Sequence, residues 1–74
     1  MNERYAILNL GKGYFTGIDY DVNEPCFSFE VPDNGNPFVL FKTEYQAFKR
    51  LSEMMVELKN VRGVYEVKRL TFIQ

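Results

Sequence analysis

Only one stretch of this sequence has the residue spacing of an amphipathic helix, and this limits the folds that the chain can adopt. Apolar side chains recur there at helical spacing: Ala47, Phe48, Leu51, Met54, Met55 and Leu58. Thr43, followed three residues later by Gln46, fits a capping box at the start of that stretch. We therefore predict a single helix over residues 44–59, with Asn60 and Gly63 as the stop signals.

The rest of the chain consists of short apolar or alternating segments separated by turn signals, which predicts strands. The predicted strands are residues 4–10, 14–20, 26–31, 38–41 and 64–73. The two glycines of residues 11–13 predict a tight turn, and Asn34-Gly35 is typical of a hairpin. Gly17 predicts a bulge or a close backbone approach in the second strand, and slipped alternation at Lys68 and Arg69 predicts a bulge in the last.

These elements predict a single α+β domain spanning residues 1–74, with the order β-β-β-β-α-β. The expected architecture is an antiparallel sheet of four to five strands with one helix packed on one face. A chain of 74 residues supports one core, and its 7 Phe and 5 Tyr supply large side chains to fill it.

One helix covers one face of a sheet, yet the strands carry apolar side chains on both faces. In the first strand Tyr5 and Ile7 alternate with Ala6 and Leu8, so the two sets point to opposite sides. Either the sheet curls around its second face, or that face meets a second copy of the chain or another partner. The sequence leaves these alternatives open.

The residue types needed for ordinary catalysis are missing. The chain has no histidine, which removes the commonest general base and metal ligand. Its one cysteine, Cys26, has no partner for a disulfide, and its place in a predicted strand beside Phe27 and Phe29 is typical of a small packed residue. We expect a protein that is not an enzyme, with no catalytic residue, no metal site and no cofactor.

An acidic segment partly matches a calcium-binding loop. Asp19, Asp21, Asn23 and Glu30 fall at loop positions 1, 3, 5 and 12, but Glu24 stands where the loop needs glycine. Glu30 also lies in a predicted strand. We therefore interpret the segment as a solvated turn.

Charge is divided unevenly along the chain, although the net charge is only −1. Residues 1–37 hold 2 basic and 6 acidic side chains, and residues 38–74 hold 7 basic and 4 acidic ones. Four cations near the last strand form a loose basic cluster: Lys59, Arg62, Lys68 and Arg69. Without a nucleic-acid-reading motif, we interpret this cluster as a solvated sheet edge and consider nucleic acid an unlikely partner.

No apolar run approaches the length of a membrane helix, and none at the N-terminus suits a signal peptide. We therefore expect no membrane association and a cytoplasmic location.

Two short motifs resemble a pattern common in small phage and prophage proteins of Gram-positive bacteria. The first is Tyr14-Phe15-Thr16-Gly17 in the predicted hairpin. The second is Phe41-Lys42-Thr43, which leads into the helix with Ala47 as a Phe-x-Thr-x-x-x-Ala step. The resemblance implies a sheet-plus-helix fold and a protein that binds and inhibits a host protein in the host cytoplasm, as anti-CRISPR and other anti-defence proteins do.

Together these points predict a non-enzymatic protein-binding module, a phage-type inhibitor that acts by steric occlusion of a host protein. The predicted contact residues are Asp19, Tyr20, Asp21 and Glu24, because they gather acidic groups around an aromatic ring. The alternatives are a nucleic-acid-binding accessory protein that uses the basic cluster, and a structural homo-oligomer such as a homodimer.

Overall fold

The computed structural model describes residues 2–73 and confirms the predicted fold class and order of elements. The elements are β1 (Asn2–Asn9), β2 (Gly13–Asp19), β3 (Glu24–Ser28), β4 (Leu40–Phe41), α1 (Glu44–Glu57) and β5 (Tyr65–Phe72). The five strands form one antiparallel sheet, and the helix contacts β1, β4 and β5. Within residues 2–73, the helix is too short and too polar to cross a membrane.

Strand β1 lies at the centre of this sheet. β5 pairs with one edge of β1 along its full length, without a break in register. The other edge is shared, because residues 5–6 pair with β4 and residues 8–9 pair with β2. β3 pairs only with β2 and forms an outer edge of the described sheet.

Both faces of the sheet are covered at the middle of β1. Ala6 and Ile7 are each 0% exposed, and successive strand residues point to opposite faces. The helix contributes Ala47, Leu51 and Met54 to the buried residues. The chain therefore covers the centre of both faces by itself.

A row of aromatic rings indicates that the sheet curls. The ring centroids of Phe15 and Phe27 lie 6.4 Å apart, and those of Phe27 and Tyr65 lie 6.1 Å apart. Phe27 is on β3 and Tyr65 is on β5, and the strands β2 and β1 lie between them. In a flat sheet β3 and β5 would be about 14 Å apart. Curling brings the two rings together across the face.

The start of the helix is as predicted, whereas its buried face is not. The Thr43 hydroxyl oxygen accepts a hydrogen bond from the Gln46 N–H at 3.1 Å. The Gln46 side-chain oxygen reaches back to the N–H of Lys42 at 3.2 Å, one residue before its expected partner. Phe48 and Met55, predicted in the core, are about half exposed, because the core stripe is centred on Ala47, Leu51 and Met54.

The helix ends at Glu57, two residues before the predicted end. Leu58 has an extended backbone, and its N–H donates to the Met54 carbonyl at 2.9 Å. The next N–H, from Lys59, donates to the carbonyl of Asn23 in the β2–β3 turn. The competing contact with this turn therefore diverts the chain from the helix.

Two strand predictions around the middle of the chain are wrong. β3 ends at Ser28, whose hydroxyl accepts a hydrogen bond from the Glu30 N–H, and Phe29 and Val31 are exposed. The Asn34-Gly35 turn joins no hairpin, since β3 pairs with β2 and β4 with β1. β4 is reduced to two residues because the chain turns at Asn36, whose carbonyl accepts from the Leu40 N–H at 3.0 Å.

Of the two predicted bulges, one is present. The β2–β3 register shifts between Phe15 and Gly17, as expected. The bulge predicted at Lys68 and Arg69 is absent, because β5 stays in register with β1 throughout. Tyr65 and Val67 instead point to one face of the sheet, and Leu70 and Phe72 point to the other, and all four are partly buried. The change in the apolar pattern therefore needs no irregularity in the backbone.

Asn9 joins two loops at the end of β1. It is 2% exposed, and its side-chain N–H donates to the Arg62 carbonyl at 3.2 Å while its side-chain oxygen accepts from the Gly11 N–H at 3.0 Å. Gly63 has a φ of +135°, and an added Cβ there would lie 2.6 Å from the Asn9 side-chain nitrogen. Asn9 therefore fixes the predicted β1–β2 turn against the loop before β5.

We expect Leu51→Ala to destabilise the protein more than Thr43→Ala. Loss of the helix cap costs about 1 kcal/mol, whereas truncating a buried leucine costs roughly 2–5 kcal/mol. Urea unfolding curves measure both free energies. A larger loss for Thr43→Ala would contradict the position of Leu51 in the core.

We expect Asn9→Ala to lower the free energy of unfolding by about 1–3 kcal/mol, because it leaves the Gly11 N–H and the Arg62 carbonyl without their partner. The same unfolding experiment measures it. Ser52→Ala, which removes an exposed hydroxyl on the helix, is the control and should change stability by less than about 0.5 kcal/mol. Equal stability of Asn9→Ala and the wild type would contradict a structural role for this amide.

Candidate protein-binding site

A groove opens where β2 separates from β1. Only Leu8 and Asn9 of β1 pair with β2, opposite Tyr14 and Gly13. β4 then occupies the edge of β1 that β2 has left. Because the bulge bends β2 away at this point, a gap forms between β2 and the segment that leads into β4. We call this gap the β2–β4 groove.

The β2–β4 groove has a volume of about 600 Å³. It is lined by Phe15, Thr16, Gly17, Ile18, Tyr20, Asn36, Pro37, Phe38, Phe41 and Arg50. Phe15, which is 1% exposed, belongs to the core, whereas Ile18 and Phe41 are only partly buried. The lining is therefore largely apolar.

Two exposed aromatic side chains belong to this lining. Tyr20 is 78% exposed and Phe38 is 79% exposed. Arg50 supplies the charge of the lining, and its guanidinium lies 3.6 Å from the Glu53 carboxylate. Since that carboxylate is 45% exposed, solvent screens the pair, and Arg50 remains able to bind a second anion.

The four predicted contact residues lie close together but have different roles. Asp19 and Glu24 are opposite each other in the β2–β3 ladder, and Tyr20 and Asp21 lie in the turn between them. The Asp19 carboxylate accepts from the Asp21 N–H at 3.0 Å, which shapes the turn. The Glu24 carboxylate accepts from the Asn60 side chain at 2.6 Å. Tyr20 alone of the four lines the groove.

The acidic segment forms the end of the β2–β3 hairpin. Asn23, with a φ of +57°, closes the turn, and its side-chain N–H donates to the Glu57 carbonyl at 2.8 Å. This contact attaches the hairpin to the end of the helix. Among residues 2–73, no group of three acidic, cysteine or histidine side chains is placed to hold a metal ion.

The basic residues near the end of the chain do not share one face. Lys68 and Arg69 are successive residues of β5 and point to opposite sides of the sheet. Lys59 and Arg62 are in the loop before β5, and the Arg62 carbonyl is bound by Asn9. This arrangement spreads the positive charge.

Cys26 is exposed, so its predicted packing is wrong. The bulge in β2 places Cys26 opposite Gly17, which has no side chain to cover the thiol. β3 is also the outer strand on this side of the described sheet.

Sequence reasoning identified Tyr20 but missed Phe38 and Arg50. Phe38 was interpreted as part of a strand, although the preceding Pro37 was a signal of irregular backbone. Arg50 has no sequence signal that distinguishes it from the other charged residues of the helix. These three residues line one groove only because of how β2, β4 and the helix are placed, and no local motif encodes that placement.

Comparison of the chain with known protein families, characterised proteins and solved structures gave no match.

We expect the Cys26 thiol to react with a thiol reagent such as DTNB in the native protein at a rate close to that of the unfolded protein. The reason is its exposure on an outer strand. Absorbance during labelling, with and without denaturant, gives the two rates. Native protection by more than about tenfold would contradict the exposed position.

Proposed function

We propose that this chain is a non-enzymatic protein-binding module that inhibits a partner protein by steric occlusion, with the β2–β4 groove as its contact surface. The observation that supports this most is the pair of strongly exposed aromatic side chains, Tyr20 and Phe38, beside an apolar groove. Tyrosine and other aromatic residues are enriched at the centres of protein interfaces, where each can bury a large area.

The shape of the groove favours an extended segment of the partner. Beyond Tyr14, the edge of β2 that faces the groove has no strand partner in the described part of the chain. Such an edge can pair with an added strand through main-chain hydrogen bonds. Apolar side chains of the segment would pack on Ile18 and Phe41, which are only partly buried, and a carboxylate would pair with Arg50.

The charge near the groove suggests how the partner is steered. Asp19 and Asp21 are exposed in the β2–β3 hairpin, next to Tyr20. Exposed rim charges mainly accelerate association with an oppositely charged surface. A basic surface around the bound segment would therefore fit. The resemblance to phage proteins supports a host protein as the target.

We expect Tyr20→Ala and Phe38→Ala each to weaken partner binding roughly five- to thirtyfold, corresponding to about 1–2 kcal/mol. The partner is captured from lysate of the native host, identified by mass spectrometry and measured by surface plasmon resonance. Tyr45→Ala is the matched control, because Tyr45 is 74% exposed on the helix and outside the groove lining. Melting temperatures verify that all three variants fold.

The Asp21→Lys variant distinguishes an effect on the association rate from an effect on the dissociation rate. Its carboxylate forms no hydrogen bond among the described contacts, so reversal should lower the association rate and its salt dependence with little effect on dissociation. Tyr20→Ala should instead accelerate dissociation. If folded Tyr20 and Phe38 variants bind as the wild type does, or if Tyr45→Ala is the damaging change, the groove is not the contact surface.

A further inference from the structure

The outer edge of β5 is the longest unpaired strand edge among the described residues. β5 has eight residues, and β1 occupies only one of its edges. The Leu10 N–H donates to the Val64 carbonyl at 3.0 Å, which continues the β1–β5 register and identifies a hydrogen-bonded pair. Because such pairs alternate along antiparallel strands, the N–H and C=O groups of Tyr65, Val67 and Arg69 point away from β1.

We propose that a second copy of this chain docks on this edge, antiparallel, with Val67 opposite the partner's Val67. The outward backbone groups of the two strands then face one another and form a continuous ladder across a twofold axis. The ladder would extend from Tyr65 to Arg69 of each copy. This proposal does not depend on the proposed function, since the β2–β4 groove lies beyond the opposite edge of β1.

Charge complementarity selects this register. With Val67 on the axis, Glu66 lies opposite the partner's Lys68, in a non-hydrogen-bonded pair where side chains approach closely. Tyr65 lies opposite the partner's Arg69, an aromatic ring beside a cation. Symmetry produces each pair twice. All three charged residues concerned, Glu66, Lys68 and Arg69, are exposed in the single chain.

Neighbouring registers are electrostatically unfavourable. Moving the axis one residue earlier places Glu66 opposite the partner's Glu66. Moving the axis one residue later places Lys68 opposite the partner's Lys68. Moving it two residues later places Arg69 opposite the partner's Arg69. Like charges directly opposite one another destabilise a pair of strands. Charged residues commonly protect a free strand edge from pairing with other chains. On β5 they instead favour one alignment of the two copies and disfavour the adjacent alignments.

Apolar contacts and the other outer strand also favour a closed pair. In the same register Val64, which is 67% exposed, lies opposite the partly buried Leu70 of the partner. The remaining outer strand, β3, is shorter and contains Pro25, which lacks an N–H. Continued addition of chains at β3 is therefore disfavoured.

Sedimentation equilibrium from about 1 to 500 μM, in reducing buffer because Cys26 is exposed, tests this proposal. We expect the mass to reach twice 8.7 kDa. Glu66→Lys and Lys68→Glu should each weaken dimerisation about tenfold or more, and the double exchange should restore it to within about threefold. Lys49→Glu, an equal charge change on the helix, should have little effect.

Amide exchange measured by NMR supplies a readout that does not depend on variants. The N–H groups of Glu66 and Lys68 point to β1, so they should be protected at every concentration. Those of Tyr65, Val67 and Arg69 should become protected only as the protein dimerises. A monomer throughout the concentration range, a dimer indifferent to the charge exchanges, or outward amides that stay unprotected in the dimer would each overturn the proposal.

Discussion

The burial of the middle of β1 on both faces, with strands paired on both of its edges, is the constraint on which the rest of the structure depends. Ala6 and Ile7, pointing in opposite directions, are both inaccessible to solvent. Burying a side chain such as Ile7 contributes roughly 1.5–3 kcal/mol to the stability of the folded state. β1 is therefore stable only where other residues pack over both of its faces. The helix and the curled sheet, marked by the contact between Phe27 and Tyr65, provide that cover.

The divided edge of β1 links stability to the candidate site. A hairpin that stayed paired along its whole length would leave no space between β2 and β4. The β1–β2 pairing stops at Tyr14, just before the bulge between Phe15 and Gly17, and the two residues of β4 pair with the next part of this β1 edge. The groove therefore forms because β2 and β4 share one edge of β1. The Asn9 amide holds the end of the hairpin at which β1 and β2 are still paired.

The features that the sequence predicted are those encoded within a few residues. The helix cap at Thr43, the glycine turn after β1 and the bulge at Gly17 each depend on local backbone preferences. Phe29 and Val31 alternate as strand residues do, yet the chain turns at Ser28 and no strand within residues 2–73 pairs with them, so they are exposed. Which strands pair with one another depends on the whole chain, and the local alternation of apolar residues does not predict it.

The same distinction applies to the candidate site. Tyr20 could be identified because it is an aromatic residue within an acidic turn. Phe38 and Arg50 join it from distant parts of the sequence, through the placement of β4 and the helix. Glu24 could not be recognised as a structural residue, because its partner Asn60 lies beyond the helix.

The pairing of β1 with β5 also affects the speed of folding. This ladder is the longest in the sheet and joins the first strand of the fold to its last, so its formation must close a loop that contains every other element. The β2–β3 hairpin and the helix involve only local contacts and can form earlier. We therefore expect a folding reaction in the millisecond-to-second range, limited by the arrival of β5, during which β1 remains available for mispairing between chains.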